Sequence, residues 1–319
     1  MSVQMLLEVK NLKKYFTISR HQHLHAVDDL SFSIGEKEVL GLVGESGSGK
    51  TTLGKTLIGI HDKTAGEVFF KGQQLPDSYT KNDFQRQAKD IQIIFQDPYN
   101  SLNSRMTAQE IIAEGLLIRD KSNLAEVKDK VAYWLHQVGL SPDYMSRYPH
   151  EFSGGQRQRI GIARALIVEP KFVVCDEPIS ALDVSVQAQI VQLLDKLKDS
   201  MGLTLLFIAH DLSMVRYVSD RMAVMYLGSL IEIGPSNDVY FDPKHPYTKA
   251  LIASNPEPDP KYEREHETPL IKGEIPSPIN LKPGCRFIGR CPMVEARCRE
   301  ETPALREIGE NRQVACHLI

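Results

Sequence analysis

The amino-acid sequence predicts an α/β fold built on a mainly parallel sheet. Short apolar runs alternate with longer helical stretches over roughly the first 250 residues, which is the pattern that βαβ units produce. Residues 39–43 and 172–175 are continuous apolar runs, as buried parallel strands require. Between residues 107 and 166 the apolar residues recur at helical spacing, which predicts a helical subdomain inserted within the α/β core.

The remaining elements of the predicted core follow in chain order. Residues 6–10 and 27–34 fit an antiparallel layer, since apolar side chains roughly alternate in the second stretch. The strand at 39–43 leads through a glycine-rich turn into a helical pattern from Lys50 to about Gly59. Residues 203–208 predict a further buried strand.

Composition and charge exclude several classes of protein. The chain has 319 residues and a net charge of −3, so it offers no basic surface for nucleic acid or for an anionic membrane. The longest apolar runs are far shorter than the ~18 to 20 residues that cross a bilayer, and the N-terminus does not resemble a secretory signal. We therefore expect a soluble protein for which any membrane connection would come through a partner, and five cysteines suit a reducing compartment.

The character of the sequence changes after about residue 253. Residues 255–260 form a proline-punctuated linker, and the charged, proline-rich tail that follows carries four of the five cysteines. We expect one domain over residues 5–252, with its helical subdomain at about 97–167, and a C-terminal extension over residues 253–319.

A phosphate-binding loop is predicted at residues 44–51, which match the pattern G-x-x-x-x-G-K-[ST]. Glycines let the backbone N–H groups wrap around phosphate, and the positive end of the next helix adds to the attraction. Lys50 would reach the β- and γ-phosphates, and the Thr51 hydroxyl would ligate Mg²⁺. A chance match in a chain of this length arises about one time in a hundred. The predicted nucleotide-binding residues here are Gly44, Glu45, Ser46, Gly47, Ser48, Gly49, Lys50, Thr51 and Thr52.

Polar residues follow three of the predicted strands. Asp176 ends one strand, where a carboxylate can help hold Mg²⁺, and Glu177 can polarise the attacking water. His210 follows the next strand and can sense the γ-phosphate, while Gln96 follows 91–95 and can contact Mg²⁺ or water. An acidic turn, a lone histidine or a lone glutamine is weak evidence alone. The phosphate-binding loop upstream is what favours the catalytic interpretation.

A second helix N-terminus is also suited to bind an anion. Ser153 is a favourable N-cap, Gly154 and Gly155 expose the first N–H groups, and Gln156 follows. One chain therefore carries two phosphate-binding helix ends, which exceeds what one nucleotide needs unless the second serves a neighbouring subunit's site.

Together these motifs resemble the nucleotide-binding domain of ABC transporters over about residues 5–252. The resemblance makes 44–51 the Walker A motif, Gln96 the Q-loop, 152–156 the signature, 172–176 Walker B, Glu177 the catalytic glutamate, Asp183 part of the D-loop and His210 the H-loop. Phe152 replaces the usual leucine, and residues 19–24 look like an insertion. An aromatic residue near the N-terminus stacks on adenine in this family. Phe16 fits that position best, with Tyr15 as the alternative.

The resemblance implies an ATPase that works as a head-to-tail dimer. Each ATP would lie between the Walker A motif of one subunit and the signature of the other, with Mg²⁺ held by Thr51, Gln96 and Asp176. A groove beside the Q-loop would receive a membrane subunit, so that ATP-driven closure moves the permease.

The tail narrows the resemblance to ATPases of oligopeptide and dipeptide importers. Residues 245–251 and the cysteine-bearing tail carry this similarity, and 175–185 look closer to the F-type than to the D-type subunit. This implies a D-type ATPase partner, two permease subunits, an extracytoplasmic peptide-binding protein and a place at the cytoplasmic face of the membrane. Nickel or glutathione import is the alternative within the family. A soluble ABC ATPase acting on nucleic acid or ribosomes is disfavoured by the single cassette and the acidic balance.

Four cysteines of the tail, with the spacing C-x5-C-x6-C-x17-C, suggest a crosslink made by metal. The spacings are wider than those of zinc knuckles, and the resemblance favours a [4Fe–4S] cluster with a structural role. Zinc and free thiols remain open. Cys175 lies in the predicted core and is expected to pack rather than react. The expected ligands are Cys285, Cys291, Cys298 and Cys316.

Overall fold

The computed structural model describes residues 4–120, 123–254, 273–274 and 276–319. The proline-punctuated linker predicted at 255–260 lies outside the described residues. The strands are β1 (Met5–Ser19), β2 (Gln22–Gly35), β3 (Val39–Val43), β4 (Ala65–Phe70), β5 (Gln73–Gln74), β6 (Ile91–Ile94), β7 (Phe172–Asp176), β8 (Thr204–Ile208), β9 (Arg221–Tyr226), β10 (Ser229–Pro235), β11 (Arg306–Gly309) and β12 (Arg312–Val314). The helices are α1 (Lys50–Leu57), α2 (Lys81–Gln87), α3 (Ala108–Asp120), α4 (Lys128–Gln137), α5 (Gly154–Leu166), α6 (Val184–Met201), α7 (Leu212–Val218), α8 (Ser236–Phe241), α9 (Pro246–Ala253) and α10 (Arg297–Glu300).

The N-terminal part forms an antiparallel sheet in the order β2-β1-β4-β5. The long strands β1 and β2 pair over almost their whole length, from Met5 opposite Gly35 to Ser19 opposite Gln22. The antiparallel layer predicted from the sequence is therefore confirmed. The apparent insertion at 19–24 forms the tip of this hairpin, so it lengthens two strands and leaves the central sheet unchanged.

The central sheet has the order β11-β12-β10-β9-β3-β8-β7-β6. The five strands β9, β3, β8, β7 and β6 run parallel to one another, in that order, whereas β10 pairs antiparallel with β9. This confirms the predicted parallel core. Because the carboxyl ends of parallel strands meet at one edge of a sheet, the residues that follow β3, β6, β7 and β8 come together there.

Both faces of the central sheet are buried. Along β7, Val173 and Cys175 face one apolar cluster, whereas Phe172 and Val174 face the other, as the alternation of side chains in a strand requires. Helix α1 packs on the second face through Leu53 and Leu57. Continuous apolar strands are therefore needed here, because each side of the strand contacts a core.

The region between β6 and β7 is helical, as predicted. It contains α3, α4 and α5, with two short 3₁₀ turns at Pro142–Ser146 and Pro149–Glu151 before α5. Its apolar residues, among them Ile112, Leu135 and Trp134, belong to the same buried cluster as one face of the central sheet. The region therefore packs directly on the core. Among the described residues, no helix is long and apolar enough to cross a membrane.

The C-terminal extension, which we define as residues 253–319, joins the central sheet directly. Strand β12 pairs antiparallel with β10, and β11 pairs with β12. A second contact lies at the other sheet, where Ile279 forms an isolated bridge with Leu24 of β2. The residue pattern of this tail does not predict either pairing, since β12 is only three residues long and carries a buried arginine.

Candidate nucleotide-binding site

A cleft of about 480 Å³ opens at the carboxyl ends of the parallel strands. It lies beside the turn between β3 and α1, and it receives side chains that follow β6, β7 and β8. Most of the residues that the sequence predicts for nucleotide binding and hydrolysis therefore meet in one place. The predicted residues that line it are Ser46, Gly47, Gly49, Lys50, Thr51, Thr52, Gln96, Glu177 and His210.

The backbone of the phosphate-binding loop requires glycine at two positions. Gly44 and Gly49 have φ angles of 151° and 105°, in the region that side chains disfavour. A Cβ at Gly49 would lie 2.0 Å from the carbonyl oxygen of Ala26, and one at Gly44 would lie 2.2 Å from that of Met225. These contacts hold the loop against two strands, so its N–H groups are fixed around the cleft.

Lys50 begins α1 and is only 5% exposed. Its ammonium group donates to the carbonyl oxygens of Gly44 at 2.8 Å and of Glu45 at 3.1 Å, so the loop closes around its own lysine. Burial lowers the pKa of Lys50, and the nearby carboxylates of Glu177, Asp176 and Glu45 oppose that shift. The result is a cation that is poorly solvated and available to an anionic ligand.

Thr51 and Asp176 form the oxygen-bearing side of the cleft. The Thr51 hydroxyl donates to Asp176 Oδ1 at 2.8 Å, which joins α1 to the end of β7. Burial raises the pKa of Asp176, and the hydrogen bond from Thr51 partly counters this effect. The hydroxyl of Thr51 and the carboxylate of Asp176 are hard oxygen ligands, which is the type that Mg²⁺ prefers.

Glu177 lies at the centre of the remaining polar contacts. Gln96 Nε2 donates to Glu177 Oε2 at 2.8 Å, and His210 Nδ1 lies 3.8 Å from the same oxygen. Glu177 has a φ of 45°, and its backbone N–H donates to the carbonyl oxygen of Ile208 at 3.0 Å. This left-handed backbone turns the side chain out of the strand and toward the cleft, a conformation that costs energy and is typical of functional sites.

Neither aromatic residue proposed for adenine lines the cleft. Tyr15 is half-buried, stacks on His25 with the ring centres 4.1 Å apart, and donates its hydroxyl proton to Asp28. Phe16 lies opposite Leu24 in the β1–β2 pairing, and Leu24 does line the cleft. Since paired residues project to the same face of a sheet, Phe16 rather than Tyr15 lies on the side of the nucleotide cleft.

The second helix N-terminus does not belong to this cleft. Ser153 caps α5 by accepting from the Gln156 N–H, and the Gln156 side chain accepts from the Ser153 N–H at 3.0 Å, which completes a capping box. Gly155 is tightly packed, since a Cβ there would lie 2.6 Å from Val186 Cγ1. None of Ser153, Gly154, Gly155, Gln156 and Asp183 lines the cleft, and Asp183 is an exposed N-cap of α6.

The sequence interpretation did not foresee three residues that line the cleft: Leu24, Ala26 and Pro278. Pro278 comes from the C-terminal extension, and its carbonyl oxygen accepts from the His25 N–H at 3.0 Å. Asn280 reinforces this contact, because its side chain accepts from the His23 N–H at 3.0 Å. No sequence signal could have identified these residues, since the pairing joins segments about 250 residues apart.

The four cysteines of the C-terminal extension line one small cavity. Cys298 is buried, the other three are half-buried, and the Cys285 N–H donates to the Cys298 carbonyl oxygen at 2.8 Å. The cavity is about 10 Å³, which is close to the room that one water molecule needs. Within the described ranges, no group of three or more histidine, cysteine, aspartate or glutamate side chains is arranged to ligate a metal.

Cys175 behaves as a packing residue. It is fully buried in the apolar cluster beside β7, and burial raises the pKa of its thiol to about 12. A thiol of this kind stays protonated and is a poor nucleophile.

Comparisons with known proteins agree with the geometry. The family model described as ABC transporter matches residues 27–180, and the model described as oligopeptide/dipeptide transporter, C-terminal region, matches residues 231–298. A putative oligopeptide transport ATP-binding protein of Bacillus subtilis, YkfD, is 54% identical over 98% of this chain and 95% of its own length. The oligopeptide transport ATP-binding protein OppF of Haemophilus influenzae is 50% identical over 98% of this chain and 97% of its own length.

Solved structures show the same architecture. The ATP-binding cassette MJ0796, in a dimeric post-hydrolysis state with ADP and phosphate, aligns with a TM-score of 0.66 and 27% identity, covering 72% of this chain and 98% of that one. The protein cbiO1 of Clostridium perfringens, part of the ABC transporter complex cbiONQ, gives a TM-score of 0.66 at 28% identity, over 75% of this chain and 92% of its own. The chain therefore belongs to the ABC transporter ATPases, in the branch that carries the C-terminal region of oligopeptide/dipeptide transporters.

Proposed function

We propose that this chain is the ATP-hydrolysing subunit of an importer for oligopeptides or dipeptides. The names of its relatives and the matched C-terminal region support the peptide class of cargo. The observation that carries the ATPase chemistry is the meeting of Lys50, the Thr51–Asp176 pair and the Gln96–Glu177 pair in one cleft.

Each side chain in the cleft has a task that its environment supports. Lys50 and the N–H groups of the loop bind and orient the β- and γ-phosphates. Thr51, Asp176 and Gln96 are suited to hold Mg²⁺, which when bound neutralises charge on the phosphate oxygens. Glu177 would accept a hydrogen bond from the attacking water and orient it, while His210, 3.8 Å from the Glu177 carboxylate, would contact the γ-phosphate.

The second half of each ATP site would come from a partner. The N–H groups at Gly154 and Gly155, with Ser153 and Gln156, lie outside this chain's own cleft and are available to another subunit's nucleotide. Val184, next to Asp183 in the D-loop, is 81% exposed, which is unusual for valine and suits a contact surface. We propose a head-to-tail heterodimer with a D-type ATPase of the same family.

The wider assembly follows from the same proposal. Two permease subunits would dock on the ATPase pair, an extracytoplasmic peptide-binding protein would deliver cargo, and the chain would lie at the cytoplasmic face of the membrane. Residues 5–252 would form the ATPase domain, with its helical subdomain at about 97–167 contacting the permeases. A net charge of −3 gives no reason to propose nucleic acid as a partner.

A reconstituted transporter tests the cargo class. ATP hydrolysis would be measured in vesicles containing the chain, its partner ATPase, its permeases and their binding protein. We expect peptide-loaded binding protein to stimulate turnover several-fold, whereas nickel or glutathione should not. Stimulation by nickel or glutathione alone would replace the peptide assignment by the alternative cargo.

For the C-terminal extension we propose a structural [4Fe–4S] cluster held by its four clustered cysteines. The convergence of all four thiols on one cavity supports a shared ligand, although their side chains would have to move outward to admit a cluster. Zinc is the second candidate, because four thiolates are also a ligand set for a single Zn²⁺ ion.

Metal analysis of protein purified without oxygen separates the two candidates. We expect about four iron atoms and four sulfides per chain, both lost on Cys291→Ser, because each thiolate is a ligand. Cys175→Ser, which alters the buried packing cysteine, is the control and should keep the metal. One zinc per chain would replace the cluster by zinc, and the absence of both metals would refute the proposal.

A further inference from the structure

The phosphate-binding loop is joined to the C-terminal extension by an ion pair. Arg290 Nη1 lies 2.7 Å from Glu45 Oε2, and Arg290 Nη2 lies 2.8 Å from Glu45 Oε1, so the contact is bidentate. The Arg290 side chain is only 6% exposed and that of Glu45 is 20% exposed. Bidentate pairs of this kind fix geometry as well as charge.

Glu45 is a direct part of the loop that holds Lys50. Its carbonyl oxygen accepts from Lys50 Nζ at 3.1 Å, and its N–H donates to the hydroxyl of Tyr247 at 2.9 Å. A movement of Glu45 would therefore displace a carbonyl group that positions the lysine of the site. Arg290 acts on the nucleotide site through this one residue.

Arg290 is itself held firmly by the extension. The backbone N–H of Arg290 donates to the Phe287 carbonyl oxygen at 3.0 Å, and its guanidinium lies 5.8 Å from the centre of the Tyr226 ring. A guanidinium is not deprotonated in proteins, so the group stays charged. Its neighbour in sequence is Cys291, which lines the cysteine cavity.

The charge of Glu45 affects how strongly the loop can bind the triphosphate of ATP. A carboxylate in a phosphate-binding loop repels the triphosphate unless a cation neutralises it, and the partly buried site screens that repulsion less than bulk water does. We propose that Arg290 is a positioning residue of the ATP site, which neutralises Glu45 and fixes the loop so that the C-terminal extension sets the affinity for MgATP. The inference rests on ATP binding at this cleft and is independent of the cargo.

The experiment measures the KM for MgATP and the kcat of the assembled transporter for four variants of the full-length chain. Arg290→Gln leaves Glu45 unneutralised, so we expect the KM to rise about tenfold with kcat changed less than about twofold, since Arg290 does not contact the reacting atoms. Arg290→Gln combined with Glu45→Gln removes both charges and should restore the KM to within about threefold of wild type. Glu45→Gln alone weakens the tether to Arg290 but leaves no repulsive carboxylate in the loop, so its KM should rise by no more than about threefold.

Arg297→Gln is the matched control, because it removes an arginine of the same extension whose partner, Glu301, is exposed and far from the loop. Its KM should equal that of wild type. If Arg290 served only to fasten the extension, Glu45→Gln would raise the KM as much as Arg290→Gln, and the double variant would recover nothing. Either result would overturn the proposal.

The single Glu45→Gln variant also decides the matter if Arg290→Gln does not fold. A rise in the KM of less than about threefold then supports neutralisation, whereas a tenfold increase refutes it. A wild-type transporter that failed to bind MgATP would instead contradict the ATP site itself, which keeps the two hypotheses distinguishable.

Discussion

The ATPase region and the C-terminal extension are stabilised by different interactions. Around the central strands β3, β7 and β8, nearly every side chain is apolar and buried on both faces of the sheet. The extension contributes little apolar core of this kind, and it contacts the ATPase region through arginine side chains that are at most 12% exposed. These pairs are Arg286 with Asp28, Arg290 with Glu45, and Arg312 with Glu232.

This difference explains why the two regions should respond differently to substitution. Burial of apolar surface is spread over many residues, so a polar side chain at the edge of the ATPase core can change without loss of the fold. A buried ion pair is concentrated in two groups, and removal of one leaves a desolvated charge. Catalytic substitutions should therefore change turnover with little effect on stability, and anchoring substitutions should do the reverse.

The largest effect is expected for Lys50→Ala. The substitution removes the cation that the loop holds for the phosphates, so ATP turnover by the assembled transporter should fall at least about 1000-fold. Thermal unfolding should change little, since Lys50 contributes no apolar contact to the core. Lys130→Ala, which breaks an exposed pair with Glu169, is the control and should retain full turnover. Normal turnover in the Lys50 variant would contradict the site.

Glu177→Gln should separate binding from hydrolysis. The amide keeps the size of the side chain but cannot accept a proton from water, so turnover should fall about 100- to 1000-fold while ATP stays bound. Retention of labelled ATP after gel filtration, together with phosphate release, measures the two steps. Glu301→Gln, which alters an exposed carboxylate outside the cleft, provides the comparison. Wild-type phosphate release by Glu177→Gln would exclude a role in orienting the water.

The contrast between the two regions also explains what could be predicted from the sequence. The strand before Gly44 and the two acids at the end of β7, Asp176 and Glu177, are local patterns. The parallel sheet brings them together regardless of the length of chain between them. The antiparallel layer and the helical region likewise follow from the spacing of apolar residues. By contrast, Pro278 enters the cleft and Arg290 reaches Glu45 only because of pairing between distant segments, which no local pattern records.

The adenine position shows the same limit on a smaller scale. Spacing alone left Phe16 and Tyr15 as neighbouring candidates. Two structural features show which residue lies on the cleft side of the β1–β2 hairpin. Phe16 pairs with Leu24, which lines the cleft, whereas Tyr15 donates a hydrogen bond to Asp28. Alternation along a strand is visible in the sequence, but the face that meets the nucleotide depends on the hairpin and on the extension packed against it.

Arg312→Met should test the anchoring role of a buried pair. Arg312 on β12 donates to Glu232 Oε1 at 2.8 Å, and Glu232 is completely buried. Without Arg312 the carboxylate keeps two backbone donors, the N–H groups of Lys244 and His245, but no cation, so the free energy of unfolding should fall by about 3 kcal/mol. Urea titration of the full-length chain measures the change.

The control for this substitution is again Arg297→Gln. Its side chain and that of Glu301 are 61% and 58% exposed, so loss of that pair should change the unfolding free energy by less than about 0.5 kcal/mol. If Arg312→Met and Arg297→Gln changed the free energy of unfolding equally, burial would not decide how much an ion pair stabilises the extension. The proposed difference between the two regions would then be wrong.

The smallest expected effect is a pH dependence of the free energy of unfolding, which arises from His245 at the start of α9. His245 caps α9 by accepting from the Tyr247 N–H at Nδ1, and burial lowers the pKa of its imidazole to about 4. An unfolded histidine titrates near ~6.5, so below that pH the unfolded chain binds a proton that the folded chain does not. The associated stability is complete above about pH 6.5 and is lost as the pH falls toward 4. Between pH 7 and pH 5 the loss should be about 2 kcal/mol.

Urea titration at both pH values, compared with His245→Asn, isolates this contribution. Asparagine can still cap the helix, but it does not titrate, so the variant should lose about 2 kcal/mol less than wild type on acidification. His150→Asn, at an exposed position, is the control for the substitution itself. If His245→Asn and wild type lost the same stability between pH 7 and pH 5, the imidazole would not be held neutral by its burial. The acid sensitivity would then have to come from the ion pairs that join the extension to the ATPase region.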